Sequence, residues 1–178
     1  MAGMVRLDLV SHGITGALRA ARFPDDEPLL DTWAAAPVAR PPAVVLTGPE
    51  QRALRTAGLL GVHAEVDPAL RDLDAGRWRG LDMGELPTEQ LHAWLTDPAF
   101  DGHGGESVAA VVARVEAWMR RVAAAGEPVL AVTHPAVVRA AVVVALGAPS
   151  SAFWRVDVSP GSRTRLHFRG AWTLRLPT

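Results

Sequence analysis

Apolar residues fall in short runs closed off by glycine, proline and small polar residues, and this rhythm recurs along the first 147 positions. Residues 4–10, MVRLDLV, make a largely apolar run that predicts a buried strand ending at His12. Residues 14–22 carry a helical start, which Pro24 through Pro28 interrupt before a second apolar segment, LLDTWAAAP. PPAVVLTGPEQRALRTAGLLG repeats the scheme with a β-branched run over 43–47, a Gly-Pro turn and a helix from about Glu50 to Leu60, stopped by Gly61. EPVLAVTHPAVVRAAVVVALG supplies a third strand, turn and helix, with Pro135 in the first helical turn, where its missing N–H costs little.

Between the second and third units, HAEVDPAL predicts a short strand, and residues 70–104 read as loop-rich with one helical piece near TEQLHAWL. From Ser107 onward, Val108, Val111, Val112, Val115, Trp118, Met119 and Val122 recur at three- and four-residue spacings, one stripe of an amphipathic helix. The tail segments FWRVDV, RTRLHF and AWTLR predict strands, the last two joined at Arg169-Gly170 as a hairpin. Strands alternating with helices imply right-handed crossovers and an α/β fold, a three-layer α/β/α sandwich around a mainly parallel sheet with antiparallel edge strands at its end. A length of 178 residues suits one domain over 1–178, with enough chain to bury a substantial core.

Composition narrows the chemistry more than the fold. Hydrophobic residues at 49% and charged residues at 21% describe a globular chain rather than a disordered one. All 18 basic residues are arginine, so Schiff-base and lysine-clamp mechanisms are excluded and any cationic phosphate ligand is Arg or protonated His. The absence of cysteine removes disulfides, thiolate nucleophiles and cysteine metal sites. A formal net charge of -1 gives no overall pull toward nucleic acid or anionic lipid, and neither is expected as a partner. The start lacks a leader pattern, and no apolar run approaches the ~20 residues that span a bilayer, so a cytoplasmic location is expected. His63, His92, His103 and His167 lack metal-site spacing, and no metal or other cofactor is expected; His103 alone stands near a motif, among glycines.

In open α/β sheets the loops at the carboxyl ends of the parallel strands surround the ligand crevice. That rule brings Ser11-His12-Gly13, Thr47 with Arg52, and Thr133-His134 to one place. Two histidines and an arginine near helix N-termini make a donor-rich anion site, most simply a phosphate site. A neutral imidazole attacks phosphorus through one ring nitrogen when its other N–H is held, and Gly13 leaves room for close approach.

These residues together resemble the histidine phosphatase superfamily, the phosphoglycerate-mutase-like proteins, over most of the chain. The family's opening Arg-His-Gly-x-Thr is matched by SHGIT in His12, Gly13 and Thr15, with Ser11 in place of the leading arginine. TGPEQRALRTA matches the family's Pro-x-x-Arg-Ala-x-x-Thr-Ala element. LRDLDAGRWRG fits Leu-x-Glu-x-x-x-Gly-x-Trp-x-Gly, with Asp72 where the family carries its proton-donating glutamate. GGES at 104–107 precedes the long helix, and AVTHPAVVRA resembles the strand-Ser/Thr-His-Gly-Gly segment, with Pro135 and Ala136 in place of the two glycines.

The resemblance implies a phosphoglycerate-mutase-like fold and metal-free phosphoryl transfer in two steps. His12 would attack a phosphomonoester to form a phosphohistidine, Asp72 would protonate the departing alkoxide, and water would then cleave the intermediate. Arg52 and His134 would stabilise charge on the equatorial oxygens, with Ser11, Gly13 and Thr15 completing the implied site. Ser11 leaves three readings open: Arg19 or Arg22, just downstream, swings in as a substitute, the enzyme is slow or directed at an unusual substrate, or the pocket binds phosphate without turnover. Several choices stay open: Asp74 rivals Asp72, Thr15 either binds phosphate or caps a helix, and Glu106 and Ser107 either line the entrance or start the long helix.

The implied ligand is a small-molecule phosphomonoester or phosphate. Hydrolysis is preferred over mutase chemistry, because the chain is short and lacks the longer insertions by which the family's sugar-phosphate mutases close their site. Dephosphorylation of a nucleotide-loop or cofactor precursor, as in cobalamin-pathway relatives, is one option within that class. Ser11 and the lost glycines motivate the opposed reading, a catalytically weak or inactive phospholigand-binding or regulatory member. The C-terminal strands either pair with a second copy to give a homodimer or finish the sheet edge.

Overall fold

The computed structural model describes residues 3–176. In chain order its elements are β1 (Val5–Ser11), α1 (Gly16–Arg19), β2 (Val44–Thr47), α2 (Gln51–Leu59), β3 (Glu65–Val66), α3 (Thr88–Thr96), α4 (Val108–Ala125), β4 (Val129–Thr133), α5 (Pro135–Ala145), β5 (Arg163–Phe168) and β6 (Trp172–Arg175). Short 3-10 turns occupy Pro68–Leu70, Gly76–Trp78, Met83–Glu85 and Ser150–Arg155. The six strands form one sheet in the order β3-β2-β4-β1-β5-β6. The first four of these are mutually parallel, β5 runs antiparallel to β1, and β6 runs antiparallel to β5 at the edge.

The central strands are apolar on both faces because both faces are covered. On one side Leu7, Leu9 and Ala131 pack against Val111, Val115 and Trp118 of α4 and Val137 of α5. On the other, Val10, Val45, Leu130 and Val132 meet Ala53 and Ala57 of α2. In α4, Ser107 caps the N-terminus by accepting from the Ala110 N–H, and Gly126 closes the helix in the left-handed conformation at φ 77. Among the described residues no helix is long and apolar enough to cross a membrane.

A smaller aromatic cluster joins Trp78 and Trp94 of the 68–105 segment, flanked by its Met83 and Phe100, to Phe23 and Trp154 from outside it. The expected strand FWRVDV is not formed: Ser150–Arg155 is a 3-10 turn, with Phe153 fully buried in the main core and Trp154 packed against both that core and the aromatic cluster. The expected helix over 14–22 is only the single turn of α1, and Ala21 follows it at φ 53.

Midway along β1, Asp8 is wholly buried and accepts from Arg163 Nη2 and Arg165 Nε, each at 2.7 Å. Arg6 Nε stands 3.3 Å from the same carboxylate. Strand register sets the other end of the sheet: Ser11 lies opposite Thr133, and Thr47 opposite Val132. The His12 N–H donates to Thr133 O at 2.8 Å and the Gly48 N–H to Val132 O at 2.9 Å, so three strands finish level.

Candidate active site

That level finish presents His12, the start of α2 and His134 around one opening. His12 Nδ1–H donates to the Gly13 carbonyl at 2.7 Å, which leaves the lone pair on Nε2. The Gly13 N–H donates to Thr56 Oγ1 at 3.0 Å, and that hydroxyl donates to Arg52 O at 2.7 Å, tying the end of β1 to α2. A Cβ at Gly13 would collide with the Trp33 ring, so the close approach that requires glycine here is made by an indole. Burial, with His134 and Arg52 nearby, pulls the His12 pKa down to about 4 against the opposing pull of Asp72 and the Gly13 carbonyl. The imidazole is therefore neutral at neutral pH.

Arg52 is 2% exposed and donates through Nη2 to Asp72 Oδ2 at 2.6 Å. Its Nε and Nη1 are buried without a hydrogen bond, Nη1 standing 3.9 Å from Asp26 Oδ1. Burial by itself would raise the Asp72 pKa, but His134, Arg52 and His12 override it and hold the carboxyl down at about 2. His134 donates from Nε2 to Glu50 Oε2 at 2.6 Å, its Nδ1 lies 3.5 Å from Asp72 Oδ2 without a hydrogen bond, and its ring meets that of His12 edge-on at 5.2 Å. Glu50 Oε1 also accepts from the Asp72 N–H at 2.8 Å. Burial would raise the Glu50 pKa, and His134 with the Asp72 N–H more than reverses this, so Glu50 is a carboxylate acceptor.

The loop carrying Asp72 is pinned from below. Thr133 Oγ1 donates to Leu70 O at 2.8 Å, and Arg114 Nη1 donates to Ala69 O and Arg71 O at 2.7 and 3.1 Å. Glu106 holds Arg114 through two bonds of 2.9 Å and accepts from Arg71 at 3.0 Å. Glu106 thus anchors the loop, and Ser107 caps α4.

Asp74 accepts from the Gly76 N–H and from Arg79, which shapes the turn; Asp72 is the aspartate beside Arg52 and His134. Thr15 is committed as the cap of α1, accepting from the Leu18 N–H at 3.2 Å. Arg19 is exposed at the end of α1 and lines neither cavity at the site, whereas Arg22 lines the inner one. Ser11 is fully buried, its Oγ has no partner, and it lines neither cavity. His103 is buried against Trp78 and accepts at Nδ1 from the Gly105 N–H. Glu50, Thr56 and Arg139 were not singled out by the sequence. Glu50 precedes Arg52 by two residues at the start of α2, which is the one signal that could have marked it.

Two cavities meet at Pro24, Asp72 and Leu73. The outer one, about 370 Å3, is lined by charged residues including Asp26, Glu50, Arg52 and Asp74. The inner one, about 120 Å3, holds His12 at an aromatic wall of Phe23, Trp94 and Trp154. Among the described residues no three His, Cys, Asp or Glu side chains converge to hold a metal ion. What does converge is a neutral histidine with a free Nε2, unpartnered donors on Arg52, and an adjacent carboxyl, a set suited to a tetrahedral oxyanion.

A family model described as histidine phosphatase superfamily (branch 1) matches residues 30–176. Among solved structures, a mycobacterial hydrolase is similar at 25% identity and TM-score 0.85, covering 98% of each chain. A mycobacterial glucosyl-3-phosphoglycerate phosphatase in complex with VO3 is similar at 25% identity and TM-score 0.82, covering 97% of this chain and 98% of its own. A phosphoserine phosphatase mutant from Entamoeba histolytica shares the fold at 15% identity and TM-score 0.81, covering 96% and 94%. No curated protein matches the chain in sequence.

Proposed function

The chain belongs to the histidine phosphatase superfamily, and from that premise we propose that it hydrolyses a phosphomonoester through a phosphohistidine at His12. The observation that carries this reading is the state of His12: Nδ1–H is held by the Gly13 carbonyl, and the neutral ring keeps its lone pair on Nε2. Phosphatases among the similar structures support the reaction class.

Nε2 forms the bond to phosphorus as the bond to the leaving oxygen breaks, and Asp72 gives that oxygen a proton. Because Asp72 is ionised when Arg52 and His134 are its partners, the proton is taken up with the substrate. A phosphate drawn onto the free Arg52 donors brings negative charge beside the carboxylate and competes for its cation; both raise its proton affinity. Water then attacks phosphorus, Asp72 receives its proton, the P–N bond breaks, and phosphate and neutral His12 are regenerated.

Acid-quenched intact-mass measurement with phenyl phosphate tests this. The wild-type chain should gain one phosphoryl group and His12→Ala none, with phosphate release by His12→Ala reduced ~100-fold or more. Ser11 favours one alternative, since it puts no second arginine beside His12. Vanadate binding by calorimetry without phosphoenzyme or release would identify a phospholigand-binding member instead.

A further inference from the structure

The two cavities offer a leaving group opposite environments. Five carboxylates line the outer cavity, Asp25, Asp26, Glu50, Asp72 and Asp74, against three arginines. Each of those arginines is already paired, Arg79 with Asp74, Arg71 with Glu106 and Arg52 with Asp72. A second anionic group on the substrate would meet net repulsion there.

The inner cavity is apolar at ten of its fourteen lining residues. Its wall is fixed: the Trp94 and Trp154 rings are 4.3 Å apart, and Trp154 Nε1 donates to Trp94 O at 3.3 Å. Arg139 lies over Trp154 at 5.3 Å with Nε donating to Val156 O at 2.9 Å, contacts that engage neither Nη nitrogen. A volume of about 120 Å3 is of the order of the ~150 Å3 apolar cavity that accepts benzene in another protein. Apart from His12 and Asp72 its polar lining is Arg22 and Arg139, and the rest offers an aromatic ring two indoles tilted at 54° to each other.

We propose that the substrate is a phosphomonoester of a primary alcohol bearing a small aromatic ring, seated in the inner cavity against Trp94 and Trp154, and that carboxylate-bearing esters are disfavoured. This rests on the hydrolase reading above for its turnover, but not for its binding.

The test compares 2-phenylethyl phosphate with O-phospho-L-serine, both primary alkyl esters, which set an aryl group against a carboxylate with an ammonium; the phosphonate pair below sets it against a carboxylate alone. The ratio of kcat/KM should favour the phenylethyl ester at least ~10-fold, the scale set by burying one ring. Trp154→Ala should cut that ratio ~10-fold. Leu18→Arg, at an exposed residue on the same cavity, should move the ratio toward phosphoserine without disturbing the core. Calorimetry with 2-phenylethylphosphonate and 3-phosphonopropionate reads the pocket without turnover. Tighter phenylethylphosphonate binding with no phosphoenzyme would end the hydrolase reading and keep the pocket; turnover of both esters with equal kcat/KM and equal phosphonate affinities would end the pocket and keep the hydrolase.

Discussion

Asp8 and Asp72 are both buried carboxylates held by arginine, and their surroundings differ in what is left over. The three arginines around Asp8 have side chains 38–42% exposed, and of their nitrogens only Arg6 Nε is buried without a hydrogen bond, 3.3 Å from the same carboxylate. Arg52 is almost wholly buried, and after its bond to Asp72 neither Nε nor Nη1 makes a hydrogen bond to protein, Nη1 standing 3.9 Å from Asp26 Oδ1. An unsatisfied buried donor costs about 1–3 kcal/mol, more when charged, so a cluster serving stability alone has no reason to keep two. A tetrahedral anion with several acceptor oxygens removes the deficit. Buried charge is common to both clusters, and so is an unpartnered nitrogen, one on Arg6 and two on Arg52; what is peculiar to the second is that they belong to a wholly buried guanidinium beside His12 and His134.

The strongest way to break this contrast is to remove one member of each cluster. Arg52→Gln should lower kcat/KM ~100–1,000-fold, the usual loss of an oxyanion donor. Asp8→Asn should leave kcat/KM within about twofold and lower unfolding stability by about 1–3 kcal/mol, a figure held down by the exposure of its arginines. Urea unfolding and initial rates on the same preparations measure both. A folded Asp8→Asn protein without activity, or an undiminished Arg52→Gln, would erase the distinction.

Titration sharpens the comparison through stability. His12 binds its proton near pH 6.5 when unfolded and at about 4 when folded, so the unfolded chain holds more protons between those values. Stability from its neutral burial is complete above 6.5 and is lost as pH falls to about 4, on the order of 3 kcal/mol in all. Asp8, whose arginines outweigh the opposing effect of burial and lower its pKa from 3.8, keeps its contribution down to that value and loses it only in stronger acid. In urea unfolding across pH 7 to 4, His12→Asn should flatten the decline and Asp8→Asn should leave its slope unchanged. An unaltered slope in His12→Asn would mean that His12 is not buried neutral.

The strand ends were legible because an apolar run that stops at a polar residue marks the edge of a buried sheet, and level register then gathers His12, Arg52 and His134. The choice between Asp72 and Asp74 was not legible. The two share charge and loop, and only the path of the 68–76 turn sends one to Arg52 and the other to Arg79. Glu50 reads along the chain as an acid favoured by a helix N-terminus, yet its carboxylate spans to His134, 84 positions away. Arg139 reads as one charge on an apolar helix; the indole beneath it comes from the 3-10 turn that the alternation of FWRVDV disguised as a strand.

Ser11 makes the finest cut, because its Oγ is also buried and unpartnered but lines neither cavity. If an orphaned atom marks a site only where a ligand has room to reach it, Ser11→Ala should change vanadate affinity by less than about twofold. Removing a hydroxyl that has no partner should also shift stability by no more than about 1 kcal/mol, in either direction, since no hydrogen bond is lost. Calorimetric titration of vanadate into both proteins decides it. A tenfold weaker fit in Ser11→Ala would place the hydroxyl on the oxyanion and make Ser11 a ligand of the site.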